Sequence, residues 1–227
     1  MSGKFHAIAI DGPSGAGKST FARRVAEDMG YVYVDTGAIY RTVGYYIWIC
    51  GIGGRDADGV RRLIDDVNVR IEYPGDGVQH MYLNGKDITG EIRTPEISMY
   101  ASQVSAHKCV RDFLMDTQRD LARTHNVVMD GRDIGTVVLP DADVKIFLTA
   151  SAEVRAKRRW LDLQEKGVKD SYEKVLADMI QRDKQDSTRE VAPLRQAEDA
   201  VLLDTSDMTL EQTFEAIKKI IGEKLGA

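Results

Sequence analysis

The sequence is short of the residues that staple a chain, bind transition metals or anchor it in lipid. Only two cysteines occur in 227 residues, Cys50 and Cys109. Their spacing suits neither a disulfide framework nor a metal knuckle, so both are expected to be small buried hydrophobes. The four histidines, His6, His80, His107 and His125, form no H-x-x-x-H pair and no Cys/His cluster, so no zinc site is legible. The most apolar later stretch, Val43 to Ile52, falls well short of the ~20 residues of a membrane span. No secretory h-region precedes the first apolar strand. An excess of positive charge is also missing. Against 31 Lys and Arg stand 36 Asp and Glu, a net charge of −5, whereas a nucleic-acid binder carries a basic face. These absences leave a cytoplasmic chain, expected to be a monomer, with neither nucleic acid nor membrane as partner. A hydrophobic fraction of 43% builds a core without staples, and the length fits one domain with appendages better than two.

Short runs rich in Val and Ile recur, each followed by a longer segment of helical period. Ala7–Ile10, Tyr31–Val34, Val127–Met129, Val144–Leu148 and Ala200–Leu203 are apolar on both faces, as buried parallel strands are. Helices are predicted over Lys18–Met29, Ala38–Cys50, Val104–Arg123, Ala152–Lys166, Tyr172–Lys184 and Leu210–Leu225, the last opened by a capping box of Thr209 and Gln212. One stretch departs from this alternation. Asn68–Tyr73 and Val78–Leu83 flank the turn Pro74-Gly75-Asp76-Gly77, and Asn84-Gly85 leads on to Lys86-Asp87-Ile88, which predicts a small antiparallel insert. Thr94 as N-cap and Pro95 at the first helical position restart a helix. The predicted class is α/β, three-layer, with a mostly parallel five-stranded sheet.

Gly12-Pro13-Ser14-Gly15-Ala16-Gly17-Lys18-Ser19 matches G-x-x-x-x-G-K-S/T between a predicted strand and a predicted helix, the context this motif requires. Glycines let backbone N–H groups curl around a β-phosphate, and the helix N-terminus adds its positive dipole end. Lys18 supplies a point charge to the β- and γ-phosphates, and the Ser19 hydroxyl, followed by Thr20, is placed to ligate Mg²⁺. The motif names a nucleoside triphosphate but no acceptor.

The acceptor side is expected at the carboxyl ends of the strands. Asp35-Thr36-Gly37-Ala38-Ile39-Tyr40-Arg41 begins where the second strand ends. Asp35-Thr36 reads equally as a helix cap, whereas the guanidinium fork of Arg41 matches a phosphate. Asp130-Gly131-Arg132-Asp133 follows the third strand and offers a carboxylate to a magnesium-bound water. The pair Arg132–Asp133 reads alternatively as a surface salt bridge worth about 0–1 kcal/mol. Arg155, Arg158 and Arg159 share a helical face, as do Arg182, Asp186 and Arg189. Each set alone reads equally as a solvated face. Such cations have a purpose near a triphosphate, because two unit charges of one sign at ~4 Å repel by about 4 kcal/mol at an effective dielectric near 20.

Taken in order, these motifs resemble the bacterial cytidylate kinase family of nucleoside monophosphate kinases. Ile92-Arg93-Thr94-Pro95-Glu96, Ala101-Ser102-Gln103-Val104-Ser105, Val110-Arg111, Gln118-Arg119, Asp133-Ile134-Gly135-Thr136-Val137-Val138 and Ala192-Pro193-Leu194 extend the likeness from about Ile8 to Thr205. The resemblance implies transfer of the γ-phosphoryl of ATP, with Mg²⁺, to CMP and dCMP. It implies that Ser102, Arg111 and Asp133 meet the cytosine edge, that Tyr40 packs on the ring and that Thr36 lies beside the acceptor. It further implies that Arg182 and Asp186 contact the sugar, and that Arg41, Arg132 and Arg189 grip the CMP phosphate. Arg155, Arg158 and Arg159 then belong to a helical lid over ATP, and Lys18, Arg132, Arg155, Arg159 and Arg189 form the catalytic set. The corresponding layout is one P-loop kinase domain over 1–227, with a core of 5–35, 104–150 and 167–227. A CMP-binding region spans 36–103 and includes the insert 68–92, and the lid spans 152–166. Two rivals stand beside it: a kinase of another acceptor, such as UMP, dTMP or shikimate, and a non-catalytic nucleotide-binding protein.

Overall fold

Valine and isoleucine placed on both sides of a strand leave it no solvent-facing side, and the strands here lie where those residues cluster. The computed structural model describes residues 5–75, 77–165 and 167–226. The N-terminal residues 1–4, Asp76 of the predicted turn, Lys166 at the end of the predicted lid and Ala227 at the end of the predicted domain lie outside the described residues. The chain forms two compact units, Met1–Tyr33 with His125–Ala227, and Val34–Thr124.

The first unit carries β1 (Ala7–Asp11), α1 (Lys18–Met29) and, after the second unit, β6 (Val127–Gly131), β7 (Val144–Thr149), α6 (Ala152–Glu165), α7 (Tyr172–Thr188), β8 (Val201–Asp204) and α8 (Leu210–Leu225). The chain leaves this unit along β2 (Val32–Asp35). The five-stranded sheet has the order β2-β6-β1-β7-β8, and β1 pairs in parallel with both β6 and β7, as β7 does with β8. Asp11 stands opposite Gly131 on one side and Phe147 on the other. Parallel register therefore brings the ends of the two motif-bearing strands side by side. Phe21, Ala22 and Val25 of α1 and Phe214, Ile217 and Ile221 of α8 pack with Ile8, Ile10, Val128 and Ile146 in one buried cluster. The α6–α7 hairpin has a small core of its own, Ala156, Leu163, Val175 and Met179.

The second unit holds α2 (Thr36–Ile49), α3 (Ala57–Leu63), β3 (Val69–Glu72), β4 (His80–Leu83), β5 (Lys86–Asp87), α4 (Pro95–Val104) and α5 (Lys108–Thr124). β3-β4-β5 form the expected antiparallel sheet. α2 lies so close to α4 that a Cβ on Gly44 would stand 2.8 Å from the Ala101 nitrogen. Helix starts follow the local chemistry. Thr94 accepts from Ile97 N with Pro95 next, and Thr209 and Gln212 close both halves of their capping box.

Two expectations are corrected, and one element was missed. Val104 does not open a helix but closes α4, and α5 begins only at Lys108. Between them the Ser105 hydroxyl donates to the Ser102 carbonyl at 2.9 Å, the kind of local side-chain bond that competes with helix continuation. Neither cysteine is a buried hydrophobe. Cys50 is exposed at the end of α2, where Gly51 turns the chain at φ 72, and Cys109 is half-buried. Finally, α3 has no counterpart in the sequence reading, because seven residues are too few for the 3.6 period to show. Among the described residues no helix is long and apolar enough to cross a membrane.

Candidate active site

The phosphate cradle grows out of β1. Gly12 adopts φ 148, and a Cβ there would collide with the Leu148 carbonyl of β7, so only glycine lets the loop pass the neighbouring strand. Gly15 and Gly17 also have positive φ, 75 and 88, and α1 starts directly after Gly17. Pro13 and Ala16 are buried while Ser14 is half-buried. Lys18 is only 5% exposed and donates from Nζ to the Pro13 carbonyl at 2.8 Å. Burial drives its pKa well below the usual lysine value and the nearby Arg132 adds to the effect, against the pull of Asp130 and Asp11. Next in the chain, the Ser19 hydroxyl donates to Asp130 Oδ2 at 2.9 Å, and Tyr33 donates to the other oxygen, also at 2.9 Å. Of the two carboxylates in Asp130-Gly131-Arg132-Asp133, Asp130, which lies within β6, is thus the one beside the Ser19 hydroxyl. Such an oxygen pair suits a hard cation like Mg²⁺. Thr20 is exposed.

The residues after β6 and those late in α7 come together in the same unit. Arg132 donates from Nε to Asp186 Oδ2 at 3.0 Å and from Nη1 to the Gly131 carbonyl at 3.3 Å. Arg189 donates to Asp133 Oδ1 at 3.3 Å, and its Nε donates to the Ala192 carbonyl at 2.7 Å. Ala192 holds a left-handed φ of 48 just before Pro193, a strained backbone of the sort that gathers at functional sites. Asp186 is 3% exposed. Burial alone would raise its pKa, but Arg132, Arg182 and Arg189 together hold it below the ordinary carboxylate value. Arg132–Asp133 is therefore no surface turn pair, since each residue pairs with α7 or the chain just after it.

The arginines of α6 do not present one open cationic face. Arg155 is 5% exposed, with Nε on the Ala150 carbonyl, Nη1 on the Ser14 carbonyl and Nη2 on Asp183 at 2.7 Å. Arg158 donates to the Thr205 carbonyl at 2.9 Å. Arg159, half-buried, has no side-chain partner among the described residues.

In the second unit Asp35 both caps and pairs. Its Oδ1 accepts from Ala38 N at 2.8 Å, so the capping alternative holds, and its Oδ2 meets Arg41 at 2.9 Å and Arg93 at 3.6 Å. Gln79, from the insert, accepts from the Asp35 N–H at 2.7 Å and donates to its carbonyl at 3.2 Å. Thr36 is buried in the first turn of α2. Arg111, 2% exposed, lies 5.4 Å from the centre of the Tyr40 ring and donates to the Ser105 carbonyl at 3.2 Å. Ser102 Oγ and Arg41 Nε are buried with no hydrogen-bond partner, which is costly unless something else fills them.

Sequence reasoning gave no role to Asp11, Gln79, Arg93 or Asp183. Asp11 accepts from Ile134 N at 2.9 Å and from Gly135 N at 2.7 Å, so each oxygen anchors the π-helical turn Ile134–Val138 that follows Asp133. Burial raises its pKa to about 6, against the lowering effect of those two N–H bonds. A charged residue at the end of a fully buried strand is itself the signal that could have found it.

Comparison with known proteins places this geometry in context. The profile described as cytidylate kinase matches residues 8–223. A cytidylate kinase of Caldicellulosiruptor saccharolyticus is 47% identical over 96% of this chain and 96% of its own. One from Carboxydothermus hydrogenoformans is 48% identical over 96% and 97%, and one from Lactobacillus johnsonii is 46% identical over 96% and 94%. Among solved structures, a shikimate kinase from Bacteroides thetaiotaomicron aligns over 98% of this chain and 99% of its own at 13% identity and a TM-score of 0.47.

Proposed function

The chain belongs to the cytidylate kinase family, and from that premise we propose that it transfers the γ-phosphoryl of Mg-ATP directly, in line, to CMP and dCMP. The observation that carries this reading is the composition of the first unit's strand ends. A glycine cradle with Lys18 and the Ser19–Asp130 pair stands in the same cluster of charges as Arg132, Arg182, Arg189 and Asp186.

In this reading Gly12, Pro13, Ser14, Gly15, Ala16, Gly17 and Thr20 frame the triphosphate. Lys18 neutralises the β- and γ-phosphates as charge spreads over the moving group. Ser19, with Asp130 through water, would hold Mg²⁺, whose chemistry is to screen the charge of the β- and γ-oxygens. Arg132 and Arg189, already oriented by Asp186 and Asp133, hold the acceptor phosphate dianion, with Arg41 as a third grip. Asp186 and Arg182 serve the sugar. Arg158 and Arg159 close over the donor with Arg155, keeping water from the phosphoryl group. No general base is needed, because the acceptor phosphate is already largely ionised near neutral pH.

Base recognition follows from hydrogen-bond polarity. Cytosine offers an amino donor and an unprotonated ring nitrogen where uracil offers the reverse. Asp133 accepts from the amino group, Arg111 donates to the ring nitrogen and carbonyl, Ser102 Oγ gains the partner it lacks, and Tyr40 packs on the ring while Thr36 lies beside it. A site of this kind rejects a mismatched analogue by as much as ~10⁴–10⁵. Assaying a panel of nucleoside monophosphates and shikimate with Mg-ATP tests the reading. CMP and dCMP should dominate; UMP turned over as efficiently as CMP would remove the cytosine assignment, and ADP released at the same rate without any acceptor would remove the kinase.

A further inference from the structure

Arg155 uses three nitrogens on three different segments: the lead-in to its own helix at Ala150, the cradle at Ser14, and Asp183 on α7. The cradle rests against the same place, since a Cβ on Gly15 would meet Arg155 Cβ at 3.3 Å and Met179 Cε at 3.0 Å. Met179 and Asp183 are one helical turn apart on α7 and so face the cradle together. The Ser14 contact has a directional consequence. In a planar trans peptide the carbonyl of one residue and the N–H of the next point in opposite directions. A Ser14 carbonyl fixed on Arg155 therefore aims the Gly15 N–H the other way, away from α6. Asp183 contributes only one oxygen to this arrangement; its Oδ1 is buried and has no hydrogen-bond partner. A carboxylate in place merely for solubility would have both oxygens in water.

We propose that Asp183 is a positioning residue for the phosphate cradle: by holding the Arg155 fork on the Ser14 carbonyl, it keeps the Gly15 N–H aimed at the donor phosphates. The inference deepens the reading of Gly12–Ser19 as the triphosphate site and assigns Asp183 no contact with either substrate. Losing the carboxylate frees Nη2, lets the fork leave Ser14 and loosens one N–H donor of the cradle.

The test measures ADP binding by calorimetry without any acceptor, and CMP binding separately, for Asp183→Ala, Asp183→Asn, Arg155→Met and the double variant Asp183→Ala/Arg155→Met. ADP affinity should fall about tenfold in Asp183→Ala, the loss expected of one bond to a charged group. CMP affinity should stay within about twofold. Asp183→Asn, which keeps an oxygen for Nη2, should fall between wild type and alanine, and it still reads the effect if the alanine variant does not fold. In the Arg155→Met background, Asp183→Ala should have no further effect. Equal losses for ADP and CMP, an unchanged ADP affinity in Asp183→Asn, or an Asp183 effect that persists without Arg155 would each overturn the proposal. Failure of CMP phosphorylation in the substrate panel would sink the proposed activity but leave this binding result standing.

Discussion

Replacing Asp186 by asparagine is the sharpest probe of the charge cluster, since it removes one charge while keeping size and shape. Asp186 is 3% exposed, touches Arg132 Nε at 3.0 Å and feels Arg182 and Arg189 as well. Breaking a buried ion pair by removing one partner costs about 3–5 kcal/mol, because the remaining charge is stranded. Asparagine can still accept from Arg132, so the lower end, about 3 kcal/mol, is expected. At ~2–4 °C per kcal/mol for chains of this size, the melting temperature should drop by about 6–12 °C at neutral pH. The pH dependence gives a second check. The folded pKa of Asp186 lies below its ordinary value of 3.8. Its contribution is therefore complete above that value and is lost as pH falls through the folded pKa. Thermal melts of wild type and Asp186→Asn should thus lie far apart at pH 7 and converge in strong acid. Inorganic phosphate, an anion for the stranded arginines, should raise the melting temperature of the variant more than that of wild type. A variant that melts with wild type at neutral pH, or a gap that persists unchanged into strong acid, would refute the balance of charge drawn here.

Local signals made much of the fold legible. Val127–Met129 and Val144–Leu148 read as strands because they are short, mostly apolar runs rich in Val and Ile, and Thr94-Pro95 and Thr209 with Gln212 announced helices because caps act within four residues. The boundary near Ser105 was misplaced, with the helix that begins at Lys108 opened at Val104, because the bond of the Ser105 hydroxyl to the Ser102 carbonyl leaves no mark in the apolar period. The cradle was equally plain, being a contiguous motif with a contextual requirement. Its supports were not. Asp11 meets Ile134 and Gly135 across 123 and 124 positions, and Asp183 meets Arg155 across 28. In Arg182-Asp183-Lys184-Gln185-Asp186 both aspartates sit in a charged helical run, and only the three-dimensional packing shows which arginine each one serves. Helical spacing grouped Arg155, Arg158 and Arg159 on one face but could not reveal that carbonyls and a carboxylate engage two of them.

The remaining predictions separate cradle, base and strand-end roles. Lys18→Met should reduce transfer by at least about 10²–10³, yet melt at or above the wild-type temperature, because burial and Arg132 disfavour the lysine charge in the folded chain; normal turnover, or a large fall in melting temperature, would contradict this. Gly12→Ala drives a Cβ into the Leu148 carbonyl and should cost at least about 1–3 kcal/mol in denaturant melts, with an unaffected midpoint counting against the close approach. Asp133→Ala should weaken CMP use more than ATP binding in steady-state kinetics, and equal losses would speak against a base contact. Asp11→Asn is read by stability against pH. The raised folded pKa, about 6 against 3.8, means that the folded state holds the proton more tightly between those values, so wild-type stability declines as pH rises through that window. The decline amounts to about 1.4 kcal/mol per pH unit, roughly 3 kcal/mol in all. Asparagine does not titrate, and the other carboxylates are common to both proteins. The stability of Asp11→Asn relative to wild type should therefore climb from pH 4 to pH 6 and level off above, whatever constant offset the altered bonds to Ile134 and Gly135 impose. Parallel curves across that window would mean that Asp11 titrates normally, and that the buried carboxylate joining the cradle strand to the turn after Asp133 has been misread.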